Sequence, residues 1–203
     1  ADGSGNFLTL QDALLVASDG DAVEVGPGTY TGQVLTQGLG VHIRSTDGAE
    51  STFLQADASD AVLVFGFGDD ADTVVEGFTV VNPGGLGLRI EDAGPTLIDL
   101  HFEGLGHSES KGGAVEIRNG SPSFERCRFI SNEAKLGGAI YAKSAQLTLK
   151  SCAFEENQAK NGGALWGTDL IWIDEGSSYD FNLADKQGGA VFLEAPFDGL
   201  ISD

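Results

Sequence analysis

The tripeptide Gly-Gly-Ala recurs four times in the second half of this chain, and its spacing constrains the fold more than any other feature. The copies occupy residues 112–114, 137–139, 162–164 and 188–190, so successive copies begin 25, 25 and 26 residues apart. Short segments of alternating apolar residues flank each copy, and none is long enough for a helix. Short strands joined by Gly, Asn and Ser turns at this period predict the coils of a right-handed parallel β-helix.

Stacked coils place each repeated residue in a column, about 4.8 Å above its equivalent. We expect Phe129 to lie above Phe154 in the interior. An inward asparagine at each turn is predicted to bond to backbone groups of neighbouring coils. The asparagine column contains Asn132, Asn157 and Asn182. Tight turns closed to other residue types are predicted for the glycine pairs. Two of these pairs are Gly137 with Gly138 and Gly162 with Gly163.

The two cysteines, Cys127 and Cys152, also fall in one column. Stacked neighbours on adjacent parallel strands lie near the lower distance limit for a disulfide, so a bridge remains an alternative. We favour a buried, reduced pair that packs as small apolar side chains.

The first half predicts an amphipathic helix at about residues 9–18. It places Leu10, Ala13, Leu14 and Ala17 on one face, which would cover the otherwise open end of a solenoid. The predicted fold class is all-β, a single-stranded right-handed parallel β-helix of about seven coils with an N-terminal capping α-helix. We expect one domain over 1–203. It divides into a cap at 1–20, irregular coils at 21–99, regular repeats at 100–193 and a tail at 194–203.

Charge and hydropathy exclude two classes of partner. The 11 Lys and Arg residues are outnumbered by 31 Asp and Glu, which gives a net charge of −20. Such a chain repels nucleic acid and anionic lipid. No apolar run approaches the roughly 20 residues of a membrane helix, so direct membrane insertion is not expected. The first residues lack a signal-peptide pattern, which indicates a mature form or an excised piece.

Two resemblances follow from these motifs. The stretches DGSGNFLTLQDAL and VEVGPGTYTG resemble the N-terminal cap and first coil of pectin-lyase-like β-helix proteins. The second half resembles the polymorphic outer membrane protein repeat, with its Gly-Gly-Ala-Ile and Phe-x-x-Asn hallmarks; here these are residues 137–140 with Phe129 and Asn132. The second resemblance implies a secreted or surface-exposed protein and a role in adhesion.

Candidate chemical sites are weak. Asp69, Asp70 and Asp72 are a possible calcium loop, but a solvated acidic turn is favoured, and no other cofactor is expected. The tripeptides at 89–91 and 106–108 resemble polygalacturonase active-site motifs, but they are incomplete and in the wrong order. We therefore assign no catalytic residue. The three histidines lack metal-ligand spacing.

A surface stripe is the stronger candidate for a binding site. Strand alternation turns the residue after each inward apolar position outward. These outward residues are Glu116, Tyr141, Trp166 and Phe192. Exposed rings in a column stack on sugars or anchor a protein partner. The interpretation that weighs slightly more is that a turn or the C-terminal segment covers them, or that they only support the sheet by stacking. The nearby lysines Lys135, Lys160 and Lys186 are interpreted as solubilising turn charges.

These features favour a non-catalytic binding or adhesion module, extracellular or on a bacterial cell surface. Its expected partner is a carbohydrate or a cell-surface protein. A carbohydrate-active enzyme and a structural spacer within a larger surface protein remain the alternatives.

Overall fold

The computed structural model describes residues 7–57 and 61–202, which form a parallel β-solenoid of about seven turns. Residues 1–6 of the predicted cap lie outside the described residues. All pairs between the strands are parallel, as the repeat predicts for coils that wind round one axis. The all-β fold class is therefore confirmed.

Three sheets form the walls of the solenoid. The first has twelve strands: β1 (Ala22–Val25), β3 (Val34–Leu35), β4 (His42–Ser45), β6 (Leu63–Phe65), β7 (Val74–Glu76), β9 (Leu88–Glu91), β10 (Thr96–Ile98), β12 (Val115–Arg118), β13 (Ser123–Glu125), β16 (Ile140–Lys150), β19 (Leu165–Glu175) and β22 (Val191–Ser202). The second has seven: β2 (Gly28–Thr31), β5 (Thr52–Gln55), β8 (Thr79–Val81), β11 (His101–Glu103), β14 (Arg128–Ile130), β17 (Ala153–Glu155) and β20 (Ser178–Asp180). The third has three: β15 (Glu133–Leu136), β18 (Gln158–Asn161) and β21 (Leu183–Gln187).

The interior contains columns of like side chains in register. Phe129 pairs with Phe102 on one side and Phe154 on the other. The ring centroids are 4.9 and 4.6 Å apart and the ring planes are nearly parallel, and Tyr179 continues the stack 4.8 Å beyond Phe154. This spacing matches the distance between paired strands. The predicted column of Phe129 and Phe154 is therefore confirmed.

The coils turn at single residues with left-handed backbone. One corner precedes the asparagine column and uses Ser131, Glu156 and Phe181, with φ values of 53°, 56° and 55°. A second, at Ser144 with φ 51°, bends the long strand β16 at its middle. Most side chains disfavour this region, so these corners are fixed by the packing around them rather than by glycine.

The N-terminal helix is shorter than predicted. Helix α1 covers Leu10–Leu14, and the Thr9 hydroxyl caps it by accepting a hydrogen bond from the Asp12 amide. Leu10 and Leu14 are buried, whereas Leu15 and the residue after it are 65% exposed. Leu10 and Leu14 are the buried residues of the helix, and the predicted extension to residue 18 is wrong.

The C-terminal boundary also differs from the prediction. Residues 194–202, predicted as a tail, belong to strand β22, which pairs with β19 along its length. The backbone thus completes a last coil in the register of the preceding ones.

Candidate functional site

The predicted surface stripe lies on the outer side of the first sheet, but two of its rings are covered. Tyr141 is 4% exposed and Trp166 is 6% exposed. Their rings stack face to face, with centroids 4.8 Å apart. Phe192, the register partner of Trp166, is half-buried. The exposed stripe is therefore wrong for Tyr141 and Trp166, and the alternative interpretation, rings that support the sheet by stacking, fits them.

The aromatic column, which we define as Tyr141, Trp166 and Phe192, loses its exposure through stacking and through neighbouring polar side chains. The Lys111 ammonium lies 5.5 Å from the Tyr141 ring centroid. Burial raises the pKa of the Tyr141 hydroxyl. Ring faces occupied by neighbours cannot receive a sugar ring. Strand alternation predicts the direction of these side chains correctly, but it carries no signal for what covers them.

Glu116, the predicted first member of the stripe, is also mostly covered. It accepts two hydrogen bonds from the Arg118 guanidinium, at 3.0 and 2.6 Å. Only 15% of the Glu116 side chain is exposed, against 43% of that of Arg118. The pair therefore presents the cation rather than the carboxylate to solvent.

A row of polar residues runs beside the aromatic column and remains accessible. The charged row is Glu91, Arg118, Lys143, Thr168 and Glu194, which are register partners on successive coils. Glu91, Lys143 and Glu194 are exposed. The row carries both signs of charge, with two adjacent cations between carboxylates at its ends, so it suits a protein surface of mixed charge better than a uniformly anionic polymer.

The asparagine column forms a continuous hydrogen-bonded ladder inside the turns. The Asn157 side-chain oxygen accepts bonds from the backbone and side-chain nitrogens of Asn132, at 3.0 and 2.9 Å. Asn182 repeats both bonds to Asn157 at 3.1 and 2.9 Å. The side-chain nitrogens of Asn132, Asn157 and Asn182 also donate to the carbonyls of Phe102, Phe129 and Phe154. The predicted structural role is confirmed.

Two segments match a known repeat. The family described as the Chlamydia polymorphic membrane protein (Chlamydia_PMP) repeat matches residues 126–143 and 151–168. Each matched segment spans the inner phenylalanine, the ladder asparagine and the Gly-Gly-Ala turn. Comparisons with curated proteins and with solved structures return no match. The pectin-lyase-like relationship stays an expectation.

The glycine pairs in the matched segments are required for two reasons. Gly137 and Gly162 have φ values of 63° and 64°, the left-handed region. Gly138 and Gly163 are limited by space instead. A Cβ on Gly138 would lie 2.1 Å from the carbonyl oxygen of Gly163, and one on Gly163 would lie 2.2 Å from that of Gly189. The pair therefore fixes both the turn and the approach of the next coil.

Cys127 and Cys152 are free and buried, as the favoured interpretation predicts. Burial raises the pKa of the Cys127 thiol, which keeps it protonated and unreactive.

The aspartates at 69–72 brace turns. Asp69 is buried, and its carboxylate accepts hydrogen bonds from the amides of Gly38 and Gly66, at 3.0 and 2.8 Å. Asp70 accepts one from the Asp72 amide at 3.0 Å. Among the described residues, no three His, Cys, Asp or Glu side chains are grouped so as to hold a metal ion.

The lysine column pairs with an acidic loop residue. Glu109 bridges the ammonium groups of Lys135 and Lys160 at 3.5 and 3.4 Å, and these charges lower the pKa of Glu109. Lys186 is exposed on β21. All of these side chains are well solvated, which agrees with a solubilising role.

The two enzyme-like tripeptides occupy different settings. Arg89 and Glu91 are exposed on β9, whereas His107 lies in the loop between β11 and β12, where its ring nitrogen accepts a hydrogen bond from the Glu109 amide. Within the part of the chain that the structure describes, no helix is long and apolar enough to cross a bilayer.

One polar pair in the interior was not predicted from the sequence. Asp174 takes the place of Leu149 in an inward column and accepts a hydrogen bond from the Tyr179 hydroxyl. The nearby Trp172 ring meets Tyr179 edge-on at 6.4 Å. The only available signal was the polar residue at an inward position of the pairing register.

Proposed function

We propose that this chain is a non-catalytic binding or adhesion segment of a bacterial outer-membrane or cell-surface protein. The observation that carries the proposal is the match of 126–143 and 151–168 to the polymorphic membrane protein repeat. A rigid solenoid suits the role, because it presents long faces of regularly spaced side chains.

The charged row is the proposed contact surface. Its members lie on the outer side of the first sheet, next to the stacked rings of Tyr141 and Trp166. Its mixed charges favour a cell-surface protein as partner, since complementary charge patterns orient and select protein partners. A net charge of −20 disfavours anionic polysaccharide.

Binding of the purified, fluorescently labelled protein to cultured epithelial cells tests the proposal, with a glycan array in parallel. The test variant is Lys143→Glu, which reverses the exposed cation of the charged row. The matched control is Lys186→Glu, which makes the same charge change at an exposed lysine of the third sheet.

The test variant should weaken saturable cell binding at least about fivefold, and the control should bind like the original chain. Equal binding by both variants would contradict the charged row as the contact surface. Saturable binding to glycans alone would replace the protein partner by a carbohydrate, and no saturable binding to either would leave a structural spacer.

A further inference from the structure

The last coil is built like the coils before it but lacks the neighbour that they have. Phe154 and Leu165 are fully buried, whereas their counterparts Tyr179 and Val191 are only half-buried. The next apolar residue of the last coil, Leu193, is half-buried as well. The C-terminal end therefore exposes apolar interior and a long unpaired strand edge, β22, which natural proteins normally cover.

Gly189 gives the most specific evidence about what would bind at this end. At the equivalent glycines of earlier coils, the backbone of the following coil leaves no room for a side chain. A Cβ on Gly113, Gly138 or Gly163 would lie 2.1–2.2 Å from the carbonyl oxygen of the next glycine in the column. At Gly189 an added Cβ meets nothing within 4 Å, and its φ lies outside the left-handed region. No contact within residues 7–57 and 61–202 explains glycine at this position.

Within the described residues, the backbone amides at the glycine turns also lack partners in the last coil only. The amides of Gly162, Gly163 and Ala164 donate to carbonyls of the last coil, at 2.7 to 2.9 Å. The equivalent amides of residues 188–190 have no acceptor in the part of the chain that the structure describes. The asparagine ladder ends in the same way, since the Asn157 amide donates to Asn182 but the Asn182 amide finds no further asparagine there.

The opposite end of the solenoid is closed. The Gln11 side chain of α1 both donates to the Leu35 carbonyl at 3.3 Å and accepts from the Leu35 amide at 2.8 Å. Asp19 similarly accepts from the Gly40 amide at 2.9 Å. A second copy therefore cannot stack head to tail without displacing these contacts. A tail-to-tail copy would run antiparallel and would not continue the parallel register of all three sheets.

We propose that the C-terminal face, formed by Asn182, residues 188–190 and the edge of β22, binds one further parallel coil of the same repeat, supplied by polypeptide that continues this chain. The inward Asn182, the space at Gly189 and the free amides all match such a coil in the existing register. This inference does not depend on the partner of the charged row.

The experiment appends a copy of residues 152–175 directly after Asp203, which continues the pairing register of Glu175 with Ser202. Hydrogen exchange of the amides of residues 188–190 is measured in the original and extended chains. The added coil should slow their exchange at least about tenfold, because it supplies the missing acceptors. Unchanged exchange would overturn the proposal.

Gly189→Ala provides the matched second variant. In the original chain it should leave the urea midpoint unchanged, since the Cβ meets nothing within 4 Å. In the extended chain it should abolish the added protection, because the new coil places a carbonyl oxygen against that Cβ. Gly163→Ala in the original chain is the positive control and should lower the midpoint. A concentration-dependent dimer of the original chain that already protects 188–190 would show that a second copy occupies the face, and would refute the inference.

Discussion

Asn157→Ala should destabilise the solenoid far more than its single side chain suggests. Four hydrogen bonds disappear, two accepted from Asn132 and one each donated to the Phe129 carbonyl and to Asn182. The Asn132 backbone amide loses its acceptor in a fully buried site, at a cost of about 1–3 kcal/mol. The other three bonds contribute about 0.5–1.5 kcal/mol each, so we expect a total loss of about 3–5 kcal/mol after partial relaxation.

Urea unfolding followed by circular dichroism measures this loss. With an m-value of about 2.5 kcal/mol/M, the midpoint should fall by about 1–2 M. Gln158→Ala is the control, because that residue is adjacent but exposed, and its midpoint should move by less than about 0.2 M. If Asn157→Ala and Gln158→Ala had similar midpoints, the ladder would contribute nothing to stability and the reasoning would fail.

Three further predictions follow from other contacts. Gly138→Ala places a Cβ 2.1 Å from the Gly163 carbonyl oxygen and should lower the urea midpoint by at least about 0.5 M, which chemical denaturation checks. Burial lowers the pKa of His101, so its stabilising contribution is complete above the ordinary histidine pKa and is lost as the pH falls through the lowered value. His101→Gln should therefore reduce the difference between the urea midpoints measured at pH 5 and at pH 8. The Cys127 thiol should react with a thiol reagent only after unfolding, since it is fully buried, and fast labelling of the native protein would contradict this.

The period of the repeat was sufficient to predict the columns, because stacked parallel strands force equivalent residues together. Phe129, Phe154 and Asn157 lie where that rule places them. The corners were not predictable in the same way. Ser131 and Glu156 adopt left-handed backbone without glycine, and only the packed coil selects that conformation.

The candidate site shows the limit of strand alternation. Alternation is a local rule, so it gives the outward direction of Tyr141 and Trp166 correctly. Their burial depends on stacking between coils and on Lys111, which lies 30 residues before Tyr141 in the chain. The helix boundary was wrong because the helix ends at Leu14: Leu15 and Val16 are exposed, although Ala17 still packs against the core.

The repeated residues are committed to holding the coils together, which limits where recognition can arise. In the coils before the last one, the asparagine, glycine and aromatic columns are buried or bonded to adjacent coils, so changing them there alters stability first. The outward polar positions vary from coil to coil, as in the charged row, where Glu91, Lys143 and Glu194 differ although they share one register. Specific binding by this solenoid therefore has to come from non-repeated surface residues. A charge reversal at Lys143 should change binding while leaving the urea midpoint within about 0.2 M of the original.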